Sequence, residues 1–261
     1  MNRQVPGDGT VGKALEVLDV VASFGKPVRF SEVLENSPHP KATLHRFLQT
    51  LTNQGMLSHD EHSHTYTLGL RLLRLAHSAW QQGSLAPIAK PFLDALAEEV
   101  GETVHLAQME NGQVIFVDKR RTTHRYETLA QAGRVAPAHC TGVGKAILAF
   151  LPEEQLEQAL LQQTFLSYTP ATHTSAATLR TELEDIRSTG LAFDCEEHEQ
   201  GVISIAAPVR LNIGRVVGSV SVATSTSRHT HSTLLAFAPA LKNAVTQIGD
   251  AASAWHFPVA I

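Results

Sequence analysis

The segment from Pro40 to Leu68 constrains the fold more than any other. Between Pro40 and Gly55 the apolar residues Leu44, Phe47, Leu48 and Leu51 fall at the 3.6-residue period of one helical stripe. Pro40 suits a first helical position, where a missing N–H costs nothing. Gly55 suits a C-terminal stop. Two short extended pieces follow, Met56–His59 and Thr65–Leu68, joined by the polar residues Asp60 to His64. Upstream, Leu15, Leu18, Val21 and Ala22 mark one face of a helix over Lys13–Phe24, which Gly25-Lys26-Pro27 ends. Ser31 is a candidate N-cap for a short second helix over Glu32–Asn36, and Ser37-Pro38-His39-Pro40 is a tight connector. Three helices followed by a polar-tipped strand pair predict a winged helix-turn-helix over residues 11–70, after a flexible tail at 1–10.

The pattern then changes. Leu72, Leu75, Ala76, Ala79 and Trp80 share a helical face, so residues 71–83 read as a linker helix, interrupted by Gly83 and Pro87. Phe92, Ala95, Leu96 and Val100 mark another helix, stopped by Gly101. Residues 84–261 read as an α/β domain. Asn111-Gly112 between apolar runs is a strong hairpin signal, because both residues tolerate the positive φ of a type I′ turn. Tyr126–Ala130 reads as a strand, and Val202–Val209 with Arg215–Ala223 as a second hairpin. Helices are expected at Gly142–Leu151, Glu153–Gln162 and Leu179–Ser188, with a last one carrying Leu234, Ala238, Leu241, Val245 and Ile248. Hairpins without strand–helix–strand crossovers predict a mostly antiparallel sheet flanked by helices, hence an α+β protein of two domains.

Composition narrows the class. Of 261 residues, 43% are hydrophobic and 18% charged, enough for sizeable cores. No apolar run reaches the roughly 18 residues of a membrane helix. The N-terminus lacks the apolar stretch of a signal peptide, and the expected compartment is the cytoplasm. Cys140 and Cys195 make neither a disulfide framework nor a metal-binding CxxC. The net charge of -4 gives no hint of nucleic acid. Residues 1–80, however, carry 8 basic and 7 acidic side chains and six of the 14 histidines, against 13 and 18 charges in the remainder. That mild asymmetry permits an N-terminal DNA contact without arguing for one.

Opposite its apolar stripe the third helix presents Lys41, Thr43, His45, Arg46, Gln49 and Thr50. A recognition helix needs that split, with donors for phosphates and base edges on one side and packing on the other. Arg46 has the fork for a bidentate guanine or phosphate contact. Any solvated surface helix shows the same pattern. A resemblance separates the two readings. Lys41-Ala42-Thr43, His45-Arg46, Gly55 and Tyr66-Thr67-Leu68-Gly69 resemble the N-terminal domain of IclR-type bacterial transcriptional regulators. Ala42 stands where the family usually has Ser, which removes one phosphate contact. The likeness continues through Gly101–Ala107, Gly142-Val143-Gly144-Lys145-Ala146, Ile186–Gly190, Asp194–Glu197, Ile205–Val209 and Arg228, so it covers roughly residues 11–250.

The resemblance implies a winged-helix domain, a linker helix and a GAF- or PAS-like effector domain. It implies a homodimer or a dimer of dimers on a palindromic operator in double-stranded DNA. Lys41, Thr43, His45, Arg46 and Gln49 become the DNA-contact candidates. By the same family alignment a small effector is lined by Arg125, Thr128, Ala136, Gly142, Val143, Asp194, Ser204, Ser221 and Ala223. Gly142 and Val143 would offer backbone amides to a carboxylate, and Asp194 an acid. Arg125 stands where the family often has an aliphatic residue, and Ser204 where many members have Cys. If Arg125 turns inward it pairs a carboxylate bidentately, which favours an organic acid; otherwise it faces solvent from a strand edge.

Other chemistry fares worse. The Gly-Lys of residues 142–146 is no phosphate loop, because His139 replaces the earlier glycine and Ala146 the Ser or Thr. The acidic run Asp194–Glu199 reads as effector recognition, a metal site with His198, or a solvated loop. Cys140 with His139 or His198 is a poor catalytic pair in sequence terms. His59, His62 and His64 read as a solvated wing tip rather than a metal set, and Trp80 as core or dimer interface. The reading therefore assigns no catalytic residue, no cofactor and no metal, and no membrane partner. It is a ligand-responsive regulator, a repressor of a catabolic operon in the first instance. The competing class is an enzyme or ligand-sensing adaptor that does not bind an operator.

Overall fold

The computed structural model describes residues 9–121 and 129–254. The chain forms two compact units, residues 1–82 and 83–261. The tail expected at 1–10 lies mostly outside the described residues, and Gly9 and Thr10 already belong to the first helix.

The first unit contains α1 (Gly9–Ser23), β1 (Val28–Arg29), α2 (Phe30–Glu35), α3 (Lys41–Asn53), β2 (Leu57–Asp60), β3 (Thr65–Leu68) and α4 (Leu70–Gly83). Its core is Val17, Leu18, Val21, Val28, Val33, Leu44, Phe47, Leu48, Leu51 and Leu57. The α3 stripe is buried as its periodicity demands. On α1 the buried face is Val17, Leu18 and Val21, while Leu15 and Ala22 of the expected stripe are exposed. The N-cap of α2 also differs. Ser31 lies inside the first turn, and the Glu32 carboxylate accepts the Arg29 N–H at 2.8 Å instead. Sequence patterning misses β1 because two residues carry no period; it pairs with β3, giving an antiparallel sheet of order β1-β3-β2.

Two glycines join α3 to the wing. Gly55 has φ +70°, a left-handed conformation that favours glycine. A Cβ on Gly69 would lie 2.2 Å from the Gly55 carbonyl oxygen. Only that close backbone passage lets Gly69 N–H reach Met56 O at 2.8 Å and closes the strand pair against the end of α3.

The second unit runs α5 (Ala86–Val100), β4 (Thr103–Glu110), β5 (Gln113–Arg120), β6 (Val135–Pro137), α6 (Gly142–Leu148), α7 (Glu153–Gln162), α8 (Ala176–Thr189), β7 (Ala192–Cys195), β8 (Val202–Arg210), β9 (Val216–Ser225), α9 (His231–Leu234) and α10 (Ala238–Ala254). The sheet has the order β6-β5-β4-β9-β8-β7, antiparallel at every pairing. Helices cover both faces. Leu93 and Leu96 of α5 and Leu241, Val245 and Ile248 of α10 pack with Leu106, Ile205 and Val222. Val143, Leu156, Leu179 and Leu183 of α6, α7 and α8 pack with the sheet residues next in line, Ala107 and Ala206. Successive strand residues face opposite sides, which is why neighbours join different cores.

Several boundaries shift. Pro87 begins α5 rather than interrupting a helix, and the buried stripe is Ala89, Leu93, Leu96 and Ala97, leaving Ala95 exposed. The α6 helix ends at Leu148, and Leu234 belongs to α9 rather than to the last helix. The strand expected at Tyr126–Ala130 falls largely outside the described residues, and Leu129 and Ala130 are not in a strand.

Candidate nucleic-acid interface and ligand pocket

Burying Leu44, Phe47, Leu48 and Leu51 turns the other face of α3 outward. Lys41, His45, Arg46 and Gln49 are exposed and Thr43 is half-buried. The helix contains no acidic residue, and its N-cap Pro40 offers no side-chain acceptor to the first-turn amides. Unfilled N–H groups and Lys41 therefore share the N-terminal end of the helix, an arrangement suited to a phosphate, and Arg46 follows on the next turn. The Arg46 guanidinium carbon sits 5.6 Å from the Phe47 ring centroid, which pre-positions the fork without using its donors. Thr50 spends its hydroxyl on the Arg46 carbonyl, so it is a poorer contact than its neighbours. In the wing, Asp60 accepts from the His62 amide and the Ser63 hydroxyl, bonds that hold its carboxyl below the usual range. His59 packs 4.6 Å from the Tyr66 ring.

In the second unit, strand register builds a pocket floor from residues far apart in sequence. Asp194 of β7 pairs with Ser204 of β8, Ser204 with Ala223 of β9, and Ala223 with Thr103 of β4. One step along, Ala206 pairs with Ser221, and Ser221 with His105. The two rows are two residues apart and so face the same side. The start of α6 lies over them. A Cβ on Gly142 would meet Ser204 Oγ at 2.9 Å, and Ser219 Oγ donates to Val143 O at 2.8 Å. Thr141 caps α6, its Oγ1 accepting from the Gly144 amide, while the first helical amides have no acceptor within the helix.

Gly142, Val143, Asp194, Ser204, Ser221 and Ala223 thus line one pocket. Ala136 does not. It sits on β6 opposite Val114 and lines a separate cleft with Gln113, Gln162 and Tyr168, because β6 is the far edge of the sheet. Arg125 and Thr128 lie outside the described residues. Sequence reasoning passed over His105, Phe116, Thr141 and Val202, which also line the pocket. His105 had a signal: it is the one polar residue between Val104 and Ala107 of an otherwise apolar run.

Burial suppresses charge at two floor residues. Burial, aided by Lys119, lowers His105 to about 3, so its ring is neutral. Burial and the neighbouring Glu197 raise Asp194 to about 7, against the pull of the Glu197 N–H, which it accepts at 2.8 Å. Burial lowers His198 as well. The thiols are poor nucleophiles: burial pushes Cys140 far up and Cys195 to about 11.

Beside the pocket, fully buried Lys145 bridges Glu182 at 2.6 Å and Glu197 at 2.5 Å. Burial works against the ammonium, and the two carboxylates overcome it, holding its pKa above the ordinary value. The lysine that suggests a phosphate loop is thus an internal counter-ion.

Comparison with known proteins agrees with both halves. The family model for the IclR helix-turn-helix domain matches residues 10–61, and that for the bacterial transcriptional regulator IclR C-terminal domain matches residues 77–250. The transcriptional regulator XynR of Escherichia coli K12 is 30% identical over 235 residues, 90% of this chain and 93% of its own. The E. coli transcriptional repressor IclR is 32% identical over 197 residues, 75% of this chain and 72% of its own. The crystal structure of Thermotoga maritima IclR superposes with a TM-score of 0.74 at 27% identity, covering 92% of this chain and 97% of that one. The relatives are named regulators rather than enzymes, and the exposed α3 donors and the antiparallel α/β domain are where such a regulator would carry its two sites. The chain belongs to the IclR family of bacterial DNA-binding transcriptional regulators.

Proposed function

We propose that this regulator represses a catabolic operon and that a small organic acid bound in the second unit controls its hold on the operator. The observation that carries the reading is the pocket. Unfilled amides at Gly142 and Val143 overhang a floor of hydroxyls and two residues, His105 and Asp194, held near or in their neutral forms. Such a floor weakens the repulsion an anion would otherwise meet from Asp194 and supplies hydrogen bonds to a second polar group. Arg125, outside the described residues, remains the candidate for a bidentate carboxylate contact.

Lys41, Thr43, His45, Arg46 and Gln49 are the operator contacts in this reading. One recognition helix covers a short site, so two copies on a palindrome are required. Leu70, Leu73, Leu75 and Trp80 of α4 stay exposed in a single chain, which supports pairing as a homodimer or dimer of dimers. The effector acts by binding two arrangements of the dimer unequally. A regulator of this kind works beside the chromosome, in the cytoplasm.

A gel-shift with the upstream region of the protein's own gene, with and without a panel of small organic acids, tests this. A specific shift released by one acid is the expected result. A shift that no acid changes would sink the effector assignment, and no shift across several salt concentrations would sink the operator assignment.

A further inference from the structure

Glu182 and Glu197 form a two-sided clamp. On one side their Oε1 atoms hold the Lys145 ammonium. On the other, their Oε2 atoms face His173 Nε2, at 2.5 Å from Glu182 and 4.0 Å from Glu197. The Glu197 Oε2 atom is buried and has no hydrogen-bond partner, although its side chain is only 7% exposed. An orphaned carboxylate oxygen in the interior is costly unless something positive meets it. The clamp also sets two carboxyl groups against the one ammonium of Lys145.

We infer that His173 Nε2, Glu182 Oε2 and Glu197 Oε2 form a binding site for a zinc-class divalent cation. The three ligand atoms lie within 4.8 Å of one another. Ligands about 2.0–2.1 Å from a tetrahedral zinc are about 3.3 Å apart. The two His173 separations, 2.5 and 4.0 Å, straddle that spacing, so a shift of the ring by under roughly 1 Å brings both toward it. His173 is on the loop between α7 and α8 and is 22% exposed, which gives it the freedom and gives the ion a way in. One nitrogen and two carboxylate oxygens, with a position left for water, suit a borderline cation better than calcium or magnesium.

A supporting shell is present. His173 Nδ1 lies 3.3 Å from Thr178 Oγ1, which fixes the ring with Nε2 toward the clamp. Thr172 Oγ1 donates to the Glu197 carbonyl at 2.6 Å, and Thr169 Oγ1 to that of Glu196 at 2.6 Å. An ion here would tie the residue 169–173 loop and α8 to the turn whose Glu197 amide holds the pocket residue Asp194. His198, the histidine nearest in sequence to the acidic run, is not a ligand; it packs on Tyr168.

The test is calorimetric titration of the chelator-stripped full chain with zinc sulfate near neutral pH, with cobalt as the spectroscopic probe. The expected result is one equivalent bound per chain, more than about tenfold weaker in His173→Ala and about tenfold weaker in Thr178→Ala, which keeps all three ligands. Cys195→Ser should bind as the parent does, and cobalt should give visible d–d bands without a thiolate charge-transfer band. Absence of stoichiometric binding would overturn the inference, as would equal affinity in His173→Ala or a thiolate band. His173→Ala leaves the Lys145 pairs intact, and its circular dichroism confirms folding independently of metal.

Discussion

The neutral His105 ring can be tested without knowing the effector. Its pKa is about 3 in the folded chain against an ordinary value of 6.5. Because the folded value is depressed, the unfolded chain takes up the proton first as pH falls. The stability tied to the neutral ring is complete above about pH 7 and is lost progressively as pH falls toward 3. Between pH 7 and 5 that loss amounts to about 2 kcal/mol. Asp194 works in the opposite sense. Its folded value of about 7, against 3.8, means that acidification favours the folded chain over the same interval. The wild-type slope therefore mixes two opposed effects, and the informative quantity is a difference between variants. His105→Asn removes one of them. Whatever its stability at pH 7, the variant should gain about 2 kcal/mol relative to wild type on going to pH 5. Urea denaturation at both pH values, followed by circular dichroism, measures this. Parallel pH dependences in the two proteins would refute the argument, because they would mean that His105 titrates alike folded and unfolded and that the pocket floor is not dry.

Four further outcomes are expected. Arg46→Ala should weaken operator binding by about 1–3 kcal/mol in a fluorescence-anisotropy titration without altering the melting curve, and unchanged affinity would remove Arg46 from the interface. Leu48→Ala should cost about 2–5 kcal/mol in the first unit, since Leu48 is fully buried beneath that same helix. Gly142→Ala places a methyl group 2.9 Å from Ser204 Oγ, so it should weaken any acid effector in calorimetry more than it lowers stability. Lys145→Met strands two carboxylates against each other and should cost about 3–5 kcal/mol, read from chemical denaturation.

Much of the first unit is local in origin. Leu44, Phe47, Leu48 and Leu51 commit one face of α3 to a core, so Lys41, His45, Arg46 and Gln49 can only face outward. The period of the sequence carries that information because the helix is its own frame of reference. The Asn111-Gly112 turn is likewise a property of two adjacent residues, both with positive φ. Where the local signal is thin, sequence pattern alone does not fix the face or the cap. The α5 stripe shifted because Pro87 begins the helix, and the α2 cap passed from Ser31 to Glu32.

The pocket has a different origin. Asp194, Ser204, Ala223 and Thr103 are one row only because three strand registers align. No spacing within the chain encodes that alignment, since it depends on loops and on which strands become neighbours. Family resemblance pointed to most of these positions; it also named Ala136, which sits on the edge strand β6 and lines a neighbouring cleft. The charges follow the same rule. Lys145 meets carboxylates 37 and 52 residues away, and His105 loses its proton because the fold removes its water. Helix faces and tight turns belong to contacts within a few residues. Protonation states, counter-ions and the composition of a cavity belong to contacts between residues that only the folded chain brings together.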